Sequence, residues 1–425
     1  MKNRRFDRRT FLEGTAAVTG AAALARCAPP PPPAPAWAWS GGVTPTDASV
    51  VVKALATEGR NLLVSTEPDL TDATVFEPAR IHEPLLRFAV DGLEPSTRYY
   101  YGLENDGTEG PRIGRFATFP DGPSNLRLAF GSCADTGSNH VVFDAIRRYA
   151  PDFFLLDGDF HYEDISRNDV MAFRTAYDRA FGAARRAALH QEFPTAYVWD
   201  DHDYGPDNSD ASAAGRPAAQ EAYRQVVPHY TLPTGESGPI HQAFSFGRIR
   251  FVMTDLRSAR NRDAGTMLGA DQRTWLLDEL EQAHATHALV VWVSAVAWIS
   301  DRSETDSWGG FQRERVELGR AFAERGFDRM LMLSGDAHML AIDNGRNNAH
   351  GGFPVFHGGP LDRSTSVKGG PYSEGTITRR GQFGTVEVDD DGGDVIGVHL
   401  RGRNERGDAV IGHDFLLDVP QLEGV

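Results

Sequence analysis

Residues 152–164 read DFFLLDGDFHYED, and this stretch decides the predicted fold. Asp152–Leu156 is an apolar run of strand length, and the buried strand that it predicts leads directly into Asp157. The glycine that follows permits a sharp turn, and a short helical turn would then bring Asp159 and Tyr162 to one side. A plain surface turn is the alternative, and sequence statistics alone favour it. A functional site is the better interpretation, because an unpaired carboxylate at the end of a buried strand is costly.

The same alternation of apolar strands and amphipathic helices continues from Leu126 onward. It predicts an α/β layered domain over residues 123–425. The other predicted strands of this domain are Arg127–Phe130, Thr195–Val198, Ile249–Thr254, Ala288–Ser294 and Arg329–Leu333. The predicted helices are Val141–Tyr149, Asp169–Phe181, Ala218–Val226, Ala270–His284 and Arg313–Glu324. The tail from Gly381 to Leu417 is predicted to return to β-strands.

Residues 37–122 show a different pattern, in which short apolar runs alternate with turn residues and helical periodicity is absent. This spacing predicts a small all-β sandwich. The stretch LEPSTRYYY, residues 93–101, resembles the corner of a fibronectin type III-like domain, in which a tyrosine hydroxyl bonds to upstream backbone. The predicted strands are Ser49–Leu55, Asn61–Ser65, Leu85–Val90, Thr97–Leu103 and Gly114–Thr118.

Residues 1–36 are predicted to be an export leader and a spacer rather than part of the fold. Five basic residues precede a short, weakly apolar run at Thr15–Ala25, which is too short for a permanent membrane anchor. The string RRTFL, residues 8–12, resembles a twin-arginine signal, with an ordinary secretory signal as the alternative. The predicted partner is therefore the twin-arginine export machinery, and the predicted location is periplasmic or secreted. Lipid attachment at Cys27 is not favoured, because Arg26 stands where a small residue is expected; the proline-rich stretch beyond it is a spacer.

Composition narrows the possible functions. The chain has 425 residues and a net charge of −16, which argues against a nucleic-acid-binding module. It has two cysteines, and because Cys27 lies in the leader, the mature body would hold Cys133 alone and no intramolecular disulfide. Cys133 is then either a small buried core residue or a metal-bound thiolate.

Three further polar clusters follow predicted strands, which is where open α/β sheets place ligands. They read GSCAD (residues 131–135), WDDHD (199–203) and SGDAH (334–338). The first is a weak signal by itself. In the third, Asp336 and His338 are alternate residues that can face the same way, although a histidine satisfied by a hydrogen bond is the alternative.

The WDDHD cluster places three carboxylates and an imidazole in four consecutive residues, and these carboxylates repel one another unless a cation binds. The alternatives are a solvated acidic loop, or a structural calcium loop completed by Asp207, Asn208 and Asp210. His202 favours a catalytic site, because an imidazole adds nothing to a calcium loop. Together the four clusters offer carboxylate, phenol, imidazole and thiol ligands. This mixture suits Fe3+ or another transition metal beside a harder divalent ion such as Ca2+.

The ordered set of motifs resembles the PhoD-like alkaline phosphatase/phosphodiesterase family, within the calcineurin-like metallophosphoesterases. The resemblance covers nearly the whole chain and includes the leader and the amino-terminal sandwich. It implies a layered β-sandwich metallophosphoesterase core flanked by helices. Besides the four clusters, the matching motifs are DLRS (residues 255–258), MLGADQ (267–272), Trp275-Leu276 and GQFG (381–384).

The resemblance also implies a metal-ligand set. Cys133, Asp159, Tyr162 and His338 resemble the ligands of an iron. Asp159 would bridge to a second metal, Ca2+ in the family, which Asp201 would also hold. Asp336 would be a further ligand or the partner of one.

The implied activity is metal-dependent hydrolysis of small-molecule or lipid phosphate esters, as in an alkaline phosphatase or phosphodiesterase, by a metal-activated hydroxide. His202 would contact the phosphate or the leaving oxygen. Arg257 is a candidate phosphate clamp, with a surface ion pair to Asp255 as an equally weighted alternative. Two other classes compete with hydrolysis: a non-catalytic cell-envelope binding protein on a hydrolase fold, and a thiol enzyme centred on Cys133.

Overall fold

The secondary structure described here is that of a computed structural model, which describes residues 37–54, 57–104, 114–300 and 306–422. The predicted leader and spacer, with Cys27, lie outside the described residues. The strands of the amino-terminal part are β1 (Trp37–Gly41), β2 (Ala48–Lys53), β3 (Leu62–Ser65), β4 (Thr74–Phe76), β5 (Arg80–His82), β6 (Leu85–Val90), β7 (Arg98–Leu103) and β8 (Gly114–Ala117). The strands that follow are β9 (Leu126–Gly131), β10 (Phe153–Asp157), β11 (Thr195–Val198), β12 (Gln242–Phe246), β13 (Ile249–Met253), β14 (Leu289–Val293), β15 (Met330–Ser334), β16 (Leu340–Asp343), β17 (Val355–Gly358), β18 (Gly375–Ile377), β19 (Gln382–Asp389), β20 (Val395–Asn404) and β21 (Ala409–Asp418). The helices are α1 (Val142–Tyr149), α2 (Val170–Phe181), α3 (Ala184–Glu192), α4 (Asp201–Tyr204), α5 (Arg216–Val226), α6 (Gly269–Thr286) and α7 (Gln312–Glu324).

The amino-terminal strands form two antiparallel four-stranded sheets, ordered β1-β2-β6-β5 and β4-β3-β7-β8. At the predicted corner, the hydroxyl of Tyr99 accepts a hydrogen bond of 2.9 Å from the backbone N–H of Glu94. Trp37 and Trp39 of β1 pack against Phe181 of α2, with ring centroids 4.7 and 5.1 Å apart. This part therefore shares core contacts with the residues that follow it. Its likeness to a fibronectin type III domain and the boundary at residues 122 and 123 stay predictions.

The first large sheet has the order β11-β10-β9-β19-β20-β21. Its strands β9, β10 and β11 run parallel, and the remaining pairs are antiparallel. All five residues of β10 are buried, which explains why its sequence is a continuous apolar run. Parallel strands read in this way because both faces of their sheet are covered.

The second large sheet has the order β12-β13-β14-β15-β17-β16-β18, with β13, β14, β15 and β17 parallel. The two large sheets pack face to face through aromatic contacts. Phe130 lies 4.8 Å from Phe356, and Phe153 lies 5.3 Å from Phe251, both edge to face. On the outer side of the second sheet, Trp292 packs against Phe322 of α7. The result is a mixed α/β fold, and the layered core is present as expected.

The five helices and all strands predicted from the sequence are present, with ends shifted by no more than two residues. Helix α3 was not predicted, because its buried face carries Arg186 and His190 and so lacks an apolar stripe. Because β9, β10 and β11 are parallel, their carboxyl ends meet at one edge, opposite the carboxyl end of β15. Across the described ranges, no helix combines the length and apolar character needed to cross a membrane.

Candidate metal centre

Three of the predicted ligands occupy the same strained position after a strand. Cys133 follows β9, Asp159 follows β10 and Asp336 follows β15, each as the second residue beyond the strand. Their φ angles are 62°, 56° and 54°, in the left-handed region that residues with a Cβ rarely adopt. Such strain persists only where the surrounding structure fixes it, and it is concentrated at functional sites. The sharp turns direct these side chains toward the edge where the strands end.

The four predicted iron ligands converge. Ligand atoms of Cys133, Asp159 and His338 lie within 4.8 Å of one another. The Cys133 Sγ is 3.4 Å from Asp159 Oδ2, and the Tyr162 hydroxyl donates to the same oxygen at 2.7 Å. The Tyr162 hydroxyl is also 3.2 Å from His338 Nε2. The structure thus brings together thiol, phenol, imidazole and carboxylate donors from three separate segments, since Asp159 and Tyr162 both follow β10.

A second group shares one carboxylate with the first. Ligand atoms of Asp159, Asp201 and His202 also lie within 4.8 Å of one another. One Asp201 oxygen accepts the backbone N–H of Asn208 at 2.6 Å. Asp159 therefore stands between the two groups, where a residue that bridges two metals would have to be.

The buried acidic groups of the centre show whether bound cations would fit there. Burial, followed by the charge of Asp201, raises the pKa of Asp159 well above its usual range, although His202 opposes the shift. Burial and then Asp159 raise the pKa values of the Cys133 thiol and the Tyr162 phenol in the same way. Asp159 Oδ1 is buried and has no hydrogen-bond partner among the described residues. Buried anions without a counter-charge are costly, so this donor set fits bound cations.

His202 is held by an acidic neighbour. Its Nδ1 lies 2.5 Å from Asp164 Oδ1, and its ring lies 4.1 Å from the ring of Tyr162. Burial lowers the pKa of His202, but the carboxylates of Asp159, Asp201 and Asp164 outweigh it and raise the pKa above its usual value. The ring is therefore oriented by one nitrogen, and the other nitrogen carries a proton more readily than in a free histidine.

A third acidic group is already supplied with cations. Ligand atoms of Asp200, Asp201 and Asp306 lie within 4.8 Å of one another. Arg257 Nε donates to Asp200 at 2.6 Å and its Nη2 donates to Asp306 at 2.7 Å. Arg260 also pairs with Asp306. Although burial opposes them, Arg257 and then Arg260 lower the pKa of Asp306, so this group already has two guanidinium counter-charges.

The surface ion pair of Arg257 with Asp255 is wrong as an interpretation. The Arg257 side chain is 0% exposed, and Asp255 Oδ1 accepts the backbone N–H of Arg257 rather than its guanidinium. The side chains that donate to the Asp255 carboxylate are instead those of Trp199 and Ser258, at 3.0 and 2.7 Å. A direct phosphate clamp would require Arg257 to leave two buried carboxylates. The clamp role stays a prediction, and these contacts fit a positioning role.

Asp336 belongs to none of the three groups of converging ligand atoms. Both of its oxygens accept from Lys368 Nζ at 2.6 Å. Burial raises the pKa of Asp336 to about 6, against the opposing charge of Lys368. The ligand role predicted for Asp336 stays a prediction, and the residue that the sequence reasoning missed is Lys368. The feature of the sequence that could have indicated Lys368 is the rarity of lysine, since the chain has three lysines, Lys2, Lys53 and Lys368.

Comparison with known proteins places this centre in a family. The sequence pattern of the PhoD-like phosphatases matches residues 128–365, which is more than half of the chain. Alkaline phosphatase D of Bacillus subtilis is 24% identical over 313 residues, which cover 60% of this chain and 53% of that protein. An uncharacterized protein of Mycobacterium tuberculosis, Rv2577, is 26% identical over 218 residues, which cover 45% of this chain and 38% of the relative. The chain thus spans about half the length, or less, of these curated relatives.

Two solved structures share the fold. A structure of PhoD has a TM-score of 0.72 at 17% identity and covers 93% of this chain and 95% of its own. A purple acid phosphatase from yellow lupin (Lupinus luteus) seeds has a TM-score of 0.61 at 13% identity and covers 91% of this chain and 75% of its own. At these identities the likeness extends to the arrangement of strands and helices alone.

Proposed function

The chain belongs to the PhoD-like phosphatase family, and we propose that it hydrolyses phosphate esters at the centre around Asp159. The observation that carries the proposal is the sharing of Asp159 by two donor groups, Cys133 with His338 and Asp201 with His202. A bridging carboxylate at the end of a buried strand is what a site for two adjacent cations requires. The proposed substrates are small-molecule or lipid phosphate monoesters and diesters.

The donor types support the proposal of Fe3+ and Ca2+ as the metals. Cys133, Tyr162, His338 and Asp159 offer the mixed soft and hard set that suits Fe3+, whereas Asp159 and Asp201 offer the oxygen ligands that suit Ca2+. When bound, such ions supply positive charge that polarises phosphoryl oxygens and lowers the pKa of water. The remaining work falls to the side chains of the chain itself.

His202 is the proposed proton donor. Asp164 fixes the ring through Nδ1, and Nε2, which lies 3.7 Å from Asp207 Oδ1, is the proposed donor to the leaving oxygen. Because the surrounding carboxylates raise the pKa of His202, the protonated form is favoured before the ester bond breaks. Arg257 acts at one remove, since its bonds to Asp200 and Asp306 hold the segment that carries Asp201 and His202.

The proposed activity is tested with metal-loaded protein on nitrophenyl phosphate and bis-nitrophenyl phosphate. We expect Asp159→Asn to lose at least about a hundredfold in rate, because it removes a charge shared by both donor groups. Asp263→Asn is the matched control, since Asp263 is exposed on a turn outside the centre. Equal rates for wild type and Asp159→Asn, or no hydrolysis by the wild type, would refute the proposal.

We also propose export through the twin-arginine machinery to the periplasm or beyond. The support is the string RRTFL at residues 8–12, followed by a short, weakly apolar run. Replacing Arg8 and Arg9 with lysine should retain the protein in the cytoplasm in cell fractionation. Unchanged export of that variant would reject the twin-arginine route, and mass spectrometry of the exported protein would reveal whether Cys27 carries a lipid.

A further inference from the structure

Lys368 lies beside the candidate centre, beyond residues 128–365 that match the family pattern. Its Nζ is 2.6 Å from both oxygens of Asp336, and its charge also acts on Asp306 and on His338. It is one of three lysines in a chain with 43 lysines and arginines in total. A lysine differs from an arginine in being a compact point charge with three rotatable donors.

The backbone around Lys368 is held in place at several points. The N–H of Ser366 donates to the carbonyl of His338 at 3.3 Å, so the segment is tied to a proposed ligand. The carbonyl of Lys368 itself accepts from the Tyr372 hydroxyl at 3.0 Å. The next residue, Gly369, has a φ of 71°, and a Cβ there would collide with the carbonyl oxygen of Ile299. The backbone that carries Lys368 is therefore fixed by these contacts, and it positions the ammonium group beside the centre.

Accessibility separates Lys368 from the other cations near these carboxylates. The side chains of Arg257 and Arg260 are 0% and 2% exposed and are bonded to buried carboxylates. The side chain of Lys368 is 25% exposed, and two N–H groups directed at Asp336 leave a third. A ligand that enters from solvent can therefore reach Lys368, whereas the two arginines are enclosed.

A second accessible cation stands on the same segment. Arg363 lies over the ring of Tyr162, with 3.8 Å from its guanidinium carbon to the ring centroid, and pairs with Asp135. The backbone N–H of Asp362 donates to the carbonyl of Cys133 at 3.1 Å, which ties this end of the segment to another proposed ligand. Arg363 and Lys368 thus approach the centre from the same segment, but Arg363 is already occupied by a ring and a carboxylate.

We propose that Lys368 binds the phosphoryl oxygens of the substrate, and that its pairing with Asp336 holds the ammonium ready for that contact. This inference rests on the proposed phosphoesterase function and names a substrate-binding residue for it. A phosphate that enters the centre adds negative charge to a region already rich in carboxylates. A cation fixed beside the proposed metal ligands would offset that charge without reorganisation when the substrate arrives. A purely structural lysine, which only neutralises Asp336, is the alternative.

Binding of inorganic phosphate to the metal-loaded full-length chain distinguishes the two. We expect Lys368→Ala to raise the dissociation constant for phosphate at least tenfold. Lys368→Arg should recover part of the lost affinity, because it restores the charge. The matched control is Lys53→Ala, since Lys53 also pairs with a carboxylate at 2.6 Å, that of Asp178, and is 22% exposed. Elemental analysis of each variant should find the metal content of the wild type. A phosphate affinity of Lys368→Ala within twofold of the wild type would overturn the proposal.

A measurement on the wild type keeps the test decisive even if Lys368→Ala fails to fold. Because the chain has three lysines, nitrogen-15 labelling of lysine gives a small set of Nζ signals, and Lys368→Arg identifies the signal of Lys368. Phosphate should shift that signal and leave the signal of Lys53 in place. Phosphate that binds without shifting it would refute the role of Lys368 while leaving the proposed function intact. A wild type that hydrolyses neither nitrophenyl ester would instead refute the proposed function, and the phosphate titration would still decide whether Lys368 binds the anion.

Discussion

Asp157 indicated a functional site in the sequence, but in the structure it is not one of the residues whose ligand atoms converge. Its position at the end of a buried strand suggested a site, because an unpaired carboxylate there is costly. In the structure both of its oxygens are buried and have no hydrogen-bond partner among the described residues. Burial, and then the charges of Asp159 and Asp336, raise its pKa well above the usual range. The raised pKa of Asp157 favours its neutral form, and Asp159 is the residue placed to bind a cation.

A pH-dependent stability follows from this protonation. Between the pKa of the unfolded chain and that of the folded state, only the folded protein keeps the proton of Asp157, so wild-type stability falls as pH rises through this window. Asp157→Asn has no proton to lose. Its advantage over the wild type should therefore grow from pH 5 to pH 8, by at most about 1.4 kcal/mol per pH unit. Urea unfolding of metal-free protein measures it.

The control for that experiment is Asp263→Asn, which changes an exposed carboxylate and should show no trend with pH. An advantage of Asp157→Asn that stays constant or shrinks toward pH 8 would contradict the assignment of Asp157 as a neutral acid. Hydrolysis by metal-loaded Asp157→Asn should also persist, since Asp157 belongs to none of the groups whose ligand atoms converge.

At the scale of elements, the ends of β10 and β15 touch, and a glycine makes that contact feasible. A Cβ added at Gly335 would collide with the carbonyl oxygen of Asp157. Gly335→Ala should therefore push the two strand ends apart and displace Asp336 and His338 from Asp159. We expect a loss of at least about a hundredfold in kcat/KM, as misplacement of about 1 Å can cause.

The matched control is Gly122→Ala, because a Cβ at Gly122 meets no atom within 4 Å and its φ lies outside the left-handed region. Both variants should be compared by metal content as well as by rate. Wild-type kcat/KM in Gly335→Ala would mean that the two strand ends do not need to touch.

Strand β1 tests whether the amino-terminal sheets support the site. Trp39 is 0% exposed, its ring lies 5.7 Å from that of Phe160, next to Asp159, and its Nε1 donates to the carbonyl of Val226 at 2.9 Å. Trp39→Ala should lower the free energy of unfolding by about 3–5 kcal/mol, because it leaves a large cavity between the two parts. Val75→Ala on β4 is the control, since Val75 is 51% exposed. A loss below about 1 kcal/mol for Trp39→Ala would show that β1 is dispensable to the core.

For the whole molecule, the centre connects the two large sheets. Cys133, Asp159 and Asp201 follow strands of the first sheet, and His338 follows β15 of the second. A cation held by both sheets binds the folded state and not the separated layers, so it stabilises the fold by mass action. A strong chelator should lower the Tm, and added metal should restore it.

The control for chelation is Asp159→Asn. Its Tm should change little when the chelator is added, because the ligand shared by the two donor groups is absent. Calorimetric melts with and without chelator provide the comparison. A wild-type Tm that is insensitive to chelation would show that the centre binds no stabilising metal, although it would not alter the fold.

The sequence by itself determined the α/β alternation and the strand-end clusters. Apolar runs such as β10 have a periodicity and length that depend on neighbours along the chain, and their burial was readable for that reason. The sequence also pointed to six site residues, because residues of these types follow predicted strands: Cys133, Asp159, Tyr162, Asp201, His202 and His338. Their convergence within two groups then required the parallel order of β9, β10 and β11, which the α/β pattern favours.

Only the tertiary structure decided which charges meet. Asp306 and Lys368 are far along the chain from their partners, and no local pattern pairs them with Arg257 and Asp336. The same holds for Arg257, whose partner along the chain would be Asp255 but whose guanidinium reaches Asp200 and Asp306. Helix α3 escaped prediction because Arg186 and His190 are buried by tertiary contacts. Local periodicity encodes elements, whereas ion pairs depend on distances in space that exist only after the two sheets have packed.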